Sequence, residues 1–223
     1  MEMGFDFQYS VMWESVPLLL SGAKLTIIIT VFGLVIGFLL GAITGLMKIS
    51  RNWFVRKLAG LYIECIRGTP IMVQVMFIYF GLPMALGMRI PPMAAGIVAI
   101  AVNSGAYIAE IVRGAFQSIE KGQTEAGRSI GLSHLQTMYY VIWPQALRRM
   151  IPPLGNQFII SLKDTSLLVV VGVGELTRTG QEIVASNFRA FEVWLTVALM
   201  YLVLTLSLSR LLHFLEKRMD INT

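Results

Sequence analysis

Five stretches of this chain stay predominantly apolar for about 20 residues each, the length that carries an α-helix across ~30 Å of hydrocarbon. They run over about Leu25–Met47, Leu58–Leu86, Pro92–Val112, Leu154–Gly174 and Val193–Leu212. A chain in lipid must satisfy every backbone polar group internally, so only helices or a closed barrel can span, and runs of this length select helices. With 56% hydrophobic residues and a mean hydropathy of +0.70, the 223-residue chain is too apolar for a soluble domain. The expected fold is an all-α integral membrane protein of about five transmembrane helices. Pro70 predicts a kink or break in the second run near Arg67-Gly68-Thr69-Pro70. Lys163 and Asp164 lie inside the fourth. Each costs ~2.5–3.5 kcal/mol at mid-depth, so that run is expected to be covered by protein.

Charge fixes the expected orientation. Twelve of the 18 Lys and Arg residues fall in the segments after the first, third and fifth runs, and four (Lys24, Arg89, Arg178, Arg189) fall on the other side. The positive-inside rule then places the N-terminus outside and the C-terminus in the cytoplasm. The net charge of +5 follows from this topology, and a nucleic-acid partner is not needed to explain it. The first 23 residues hold no Lys or Arg and so lack a signal-peptide n-region. Residues 1–20 read as an extracytoplasmic amphipathic lead-in with Trp13 at the interface, residues 21–215 as one membrane domain and 216–223 as a cytoplasmic tail. Cys65 is the only cysteine and has no metal-ligand spacing around it.

Between the third and fourth runs the sequence turns polar, from Lys121 to Asn156. Gln123 to Ile130 reads as a short helix ended by Gly131, and Ser133 with Gln136 forms an S-x-x-Q capping box that starts another. Helices this short are marginal alone and are expected to gain stability by clamping into a partner.

The residues here resemble a known family. Glu125-Ala126-Gly127, Gly131 and Ile142-Trp143-Pro144-Gln145-Ala146 resemble the EAA loop of the permease subunits of bacterial ABC importers. Arg67-Gly68-Thr69-Pro70, Asn103 to Glu110, Pro152 to Gln157 and Lys163 to Leu167 resemble its polar amino acid branch, and the similarity spans about Pro17 to Arg218. Gly127 replaces the second Ala of the triplet, and Trp143 stands where Leu is usual. The resemblance implies the type I permease fold and a polar amino acid substrate, with glutamine favoured. It also implies two ATP-binding subunits carrying ATP and Mg, an extracytoplasmic binding protein, and a second permease copy, identical or related. Coupling to the ATPase would fall to Gln123, Glu125, Ala126, Gly127 and Gly131.

No enzymatic constellation is visible in the sequence. There is no G-x-x-x-x-G-K-[ST] loop, and the two histidines, His134 and His213, belong to different segments. A zwitterionic amino acid needs a cation, an acceptor for its ammonium and amide partners for a glutamine side chain. Gln74, Asn103, Asn156, Lys163, Asp164, Thr165 and Ser166 are the candidate path residues, and no metal site is expected. Asn103, Tyr107 and Glu110 share a helical face with Gly96 and Gly114. Asn156 and Lys163 share another, with Gln157, Ser161 and Asp164 about 100° round. Glu64, Arg67 and Glu110 are the charges available to pair with Lys163 and Asp164, and such pairs could equally be structural. Arg67, Pro70, Glu110 and Pro144 are expected to act as structural or gate positions. The rival reading is a stand-alone secondary carrier or exporter, against which the polar loop argues. Reporter fusions test the topology: one after Thr223 is expected in the cytoplasm and one within 177–187 outside, and both on one side would overturn five spans.

Overall fold

A computed structural model describes residues 6–218, which form ten α-helices linked by turns, with no strand among the described residues. In order these are α1 (Tyr9–Lys48), α2 (Trp53–Arg67), α3 (Ile71–Met76), α4 (Leu82–Leu86), α5 (Pro92–Gln117), α6 (Lys121–Ser129), α7 (His134–Thr137), α8 (Trp143–Asp164), α9 (Leu176–Asn187) and α10 (Ala190–Arg218). Single π-helical turns, Phe77–Gly81 and Met138–Ile142, join α3 to α4 and α7 to α8, and a 3₁₀ segment, Thr165–Val171, extends α8. Four helical stretches, Tyr9–Lys48, Pro92–Gln117, His134–Val171 and Ala190–Lys217, are long and apolar enough to span. Trp53–Arg67 and Ile71–Leu86, bent by 102° at the break between them, make a fifth when counted as one span. The break sits where Gly68-Thr69-Pro70 predicts it.

Two boundaries differ from the hydropathy reading. The lead-in is not set apart from the first span, because α1 is already helical at Tyr9 and runs unbroken through Pro17. Within its N-terminal half Leu19 and Ala23 pack with Leu176, Ile183, Val193 and Val197 of α9 and α10, while Tyr9 and Trp13 stay exposed. Residues 1–5 lie outside the described residues, as does the tail beyond Arg218. The fourth span is helical well before Leu154: α8 begins at Trp143 and continues the helical stretch that starts at His134, with Pro144, Pro152 and Pro153 within it. Hydropathy misses this entry because Arg148 and Arg149, both exposed, occupy its second turn.

The centre of the bundle is the pairing of α1 with α5, the most extensive contact between helices. Gly33, Gly37, Gly41 and Gly45 recur every fourth residue, so they form one stripe down α1. A Cβ at Gly41 would stand 2.6 Å from the Gly105 carbonyl oxygen, and one at Gly37 or Gly45 would stand 2.9 Å from those of Ala101 or Ala109. The two backbones therefore touch, as small residues allow in helix pairs within lipid. On either side of this contact lie two clusters. Ile29, Val75, Ala99, Ile100 and Leu168 gather α1, α3, α5 and the 3₁₀ segment, and Ile108, Val112, Ile142, Ala146 and Met150 join α5 to α8. Outward, α1 and α10 expose Val31, Val35, Leu39, Leu202 and Leu206, which suits hydrocarbon as solvent.

Gly41→Val is expected to force the backbones apart and destabilise the purified protein by about 1–3 kcal/mol, the usual range for overpacking. Gly114→Ala, on α5 where a Cβ meets nothing within 4 Å, is expected to be neutral or stabilising. Thermal unfolding in detergent measures both, and equal melting points for the two variants would refute the stripe as a packing device.

Candidate translocation cavity and docking loop

The break between α2 and α3 exposes backbone groups that a continuous helix would have paired, and two side chains answer for them: Thr69, whose hydroxyl donates to the Cys65 carbonyl at 3.0 Å, and Gln74. Gln74 is buried, and its Nε2 donates to the carbonyl of Ile66 at 2.7 Å and to the carbonyl and hydroxyl of Thr69 at 3.0 Å each. Its Oε1 accepts from Nδ2 of Asn103 on α5 at 3.0 Å. Pro70 begins α3 from an extended conformation, φ −63° and ψ 138°, so it donates nothing that the turn would leave unpaired. Gln74 is thus committed to holding the break, and Asn103 ties that break to α5.

Against the break lies a cavity of about 560 Å³ lined by Arg67, Thr69, Asn103, Tyr107, Gln157 and Asp164, with Gly68, Pro70, Ile71 and Ile160 completing the wall. One cation, one acid, two amides and two hydroxyls therefore face a volume within the ~300–1,000 Å³ usual for small-ligand sites. The α8 face that carries Gln157, Ser161 and Asp164 is the one turned inward, with Gln157 Nε2 donating to Ser161 Oγ at 3.2 Å.

The cavity differs from the expected path in its cation. Lys163 and Asn156 are exposed on a different side of α8 and do not line it. Thr165 is buried with its hydroxyl donating to the Leu162 carbonyl at 2.7 Å, and neither it nor half-buried Ser166 reaches the wall. The pairing expected for Lys163 and Asp164 does not form either, because the available charges are taken. Lys48 meets Glu64 at 3.5 Å, and Arg67 meets Glu110 at 3.2 Å. Glu110 is also gripped by both prongs of Arg113, at 2.7 and 2.9 Å, and the Arg67 guanidinium lies 5.2 Å from the centre of the Tyr107 ring. Arg67 is the cavity's cation because it ends α2 at the break, where the helix carbonyls favour positive charge. The 157/164 spacing and the Arg-Gly-Thr-Pro break signal both pointed here, but only the packed bundle shows which face of α8 turns toward the break.

At one end of the bundle the polar loop folds as its sequence dictates. Gly131, at φ 89°, closes α6 in a Schellman arrangement: Leu132 N–H reaches the Gly127 carbonyl at 3.2 Å and Gly131 N–H that of Arg128 at 3.1 Å. Ser133 and Gln136 then exchange bonds of 3.2 and 2.8 Å in a full capping box. Gly127 is buried where a Cβ would stand 2.7 Å from Thr137, which accounts physically for glycine at this position. Gln123 accepts from Gln145 at 3.1 Å, and the Trp143 ring packs on Phe116 with centroids 5.4 Å apart, so α6 and the start of α8 are fixed to the bundle. Pro144, which donates no N–H, lies just past the π turn Met138–Ile142, a departure from regular α-helix at that point. Glu125 and Ala126 remain exposed, beside Ile130 at 78% and Leu135 at 80% exposure, two large apolar side chains that the chain itself leaves uncovered.

Membrane-spanning helices around a polar cavity, with a rigid polar loop at one end, define a solute permease. The chain belongs to the family described as binding-protein-dependent transport system inner membrane component, whose model matches residues 33–221. It is thus a multi-pass inner-membrane protein. It is 57% identical over 217 residues to the glutamine transport system permease protein GlnP of Escherichia coli K12, covering 97% of this chain and 99% of that one. The L-cystine transport system permease protein TcyB of Bacillus subtilis is 38% identical over 205 residues, with 92% and 87% covered. A crystal structure of an amino acid ABC transporter with histidines superposes with a TM-score of 0.91 at 42% identity, covering 96% of this chain and all of that one.

Replacing Gln74 by Leu keeps the volume but leaves the Asn103 amide without its acceptor and the Ile66 carbonyl with its 3.4 Å bonds from Thr69, which is expected to cost about 1–3 kcal/mol for the orphaned amide. The thermal melting point should fall well below that of Lys163→Met, whose side chain is exposed. The reverse order would show that Gln74 does not hold the break.

Proposed function

We propose that the chain is the permease subunit of an ATP-driven importer of polar amino acids, with glutamine as cargo. The 57% identical relative is a glutamine transport system permease protein, which supports glutamine, and the cavity has the chemistry such a zwitterion requires. Arg67 faces the α-carboxylate, Asp164 the ammonium, and Asn103 and Gln157 the side-chain amide. Lys163 and Asn156, exposed on another side of α8, and Thr165 and Ser166 beyond its end do not line this cavity.

The observation that carries the coupled, ATP-driven part of this reading is the α6–α7 loop. Two helices too short to persist in water are locked by a Schellman glycine and a capping box, yet present Glu125, Ile130 and Leu135 outward. Such a rigid, partly apolar knob fits a groove on an ATP-binding subunit, which supplies ATP and Mg. The loop lies in the cytoplasm together with the C-terminus, in keeping with the distribution of Lys and Arg, and the binding protein docks at the opposite face. A chain with one docking loop implies a second permease copy and two ATPase subunits. ATPase closure pushes α6 and α7, and the spans alternate the side to which the cavity opens.

Reconstitution of the complex with a glutamine-loaded binding protein tests this. Gly131→Asp places a side chain at φ 89°, a left-handed position that strains it by roughly 1–2 kcal/mol, and tilts the knob. It is expected to leave the chain inserted while lowering stimulated ATP hydrolysis and uptake together, with Glu125→Ala milder in the same direction. Unchanged stimulation and unchanged pull-down of the ATPase by Gly131→Asp would remove the loop from the coupling path.

A further inference from the structure

Arg67 belongs to two cavities at once. It lines the 560 Å³ space against the break, and also a second of about 620 Å³ on the docking-loop side that it shares with Glu64, Glu110, Arg113 and Gln117. Gly68 is common to both as well, so the end of α2 is the partition between them. The Arg67 side chain is 42% exposed, with its guanidinium beside the Tyr107 ring, so it is not locked in by packing on all sides.

Its acidic partner is unequally shared. Arg113 holds both oxygens of Glu110, Nε to Oε1 at 2.9 Å and Nη2 to Oε2 at 2.7 Å, in the two-pronged geometry that makes the strongest pairs. Arg67 reaches only Oε2, at 3.2 Å. If Arg67 leaves, Glu110 keeps a complete bidentate partner and no orphaned charge is created. If Arg113 left, Glu110 would depend on Arg67 alone. Arg67 is therefore the exchangeable member of the trio.

We infer that Arg67 trades Glu110 for the α-carboxylate of the entering amino acid, so that Glu110 is an internal competitor that sets how tightly the cavity holds its cargo and returns Arg67 when the cargo departs toward the second cavity. Glu110 is a positioning residue in this scheme, since it acts on the substrate only through Arg67. The inference rests on the reading of the 560 Å³ cavity as the substrate path.

The exchange makes a prediction of sign that a purely structural triad does not. Equilibrium binding of radiolabelled glutamine is measured on the purified permease–ATPase complex in detergent, without the binding protein. Glu110→Gln, which keeps the shape and removes the competing charge, is expected to tighten binding about threefold or more. Arg113→Gln, which frees Glu110 to hold Arg67 harder, is expected to weaken it by a similar factor. In an Arg67→Gln background both effects should vanish, the double-mutant signature of action through Arg67. Should Glu110→Gln fail to assemble, the Arg113→Gln weakening and its loss in the Arg67→Gln background decide alone. Two shifts of the same sign, no shift in either, or shifts that persist without Arg67 would overturn the exchange while leaving the cavity reading in place. Wild-type complex that binds no glutamine without the binding protein would instead overturn the cavity reading, and the exchange with it.

Discussion

Two helix backbones in direct contact organise this molecule. Lipid tails are as apolar as leucine, so helices in a bilayer are not pushed together by water and must rely on close van der Waals fit. The four glycines of α1 supply that fit by letting Gly105, Ala101 and Ala109 of α5 approach where any side chain would intrude. α5 in turn carries Asn103, Tyr107 and Glu110, so its position sets the place of the cavity wall and of the charged trio. α8 packs on the far side of α5 through Ala146 and Met150, and brings Gln157 and Asp164 to the same space.

The break between α2 and α3 follows from the opposite constraint. An interrupted helix inside a membrane is tolerated only where protein or a water-filled cavity takes up the freed backbone groups. Gln74 does the first and the cavity permits the second, which explains why the polar residues cluster here. The cost of bending the chain by 102° is offset by one amide that caps two carbonyls. The same bend brings the cationic end of α2 beside the acidic residue of α8.

Much of this was legible in the sequence where the rule is local. Apolar runs of span length, the Pro70 break, the Gly131 terminus and the Ser133/Gln136 box all follow from chemistry within a few residues; the break, the terminus and the box are found where the sequence puts them, and each run overlaps a helical span whose ends it only approximates. What needs the rotation of one helix against another was not. Lys163 and Asp164 are adjacent and equally charged in magnitude, and nothing in the chain says that Asp164 turns inward while Arg67, a hundred residues away in sequence, supplies the cation. The glycine stripe has a visible signature, small residues every fourth position from Gly33 to Gly45, but hydropathy scores glycine as neutral and passes over it. The early start of α8 is hidden in the same way by Arg148 and Arg149.

The interlock of α1 and α5 also dictates how the molecule can change shape. Sliding one helix along the other would drive Ile100, Ile108 and Val112, which fill the spaces between the glycines, into the opposing backbone. The pair is consequently a single stiff beam about 40 residues long on its α1 side, or roughly 60 Å at 1.5 Å per residue. The breaks in regular helix lie outside that beam, at Gly68-Thr69-Pro70 and at Gly172, whose φ of 76° ends the 3₁₀ segment. In the transport cycle proposed above, the α1–α5 pair would then serve as the fixed reference against which the other spans move.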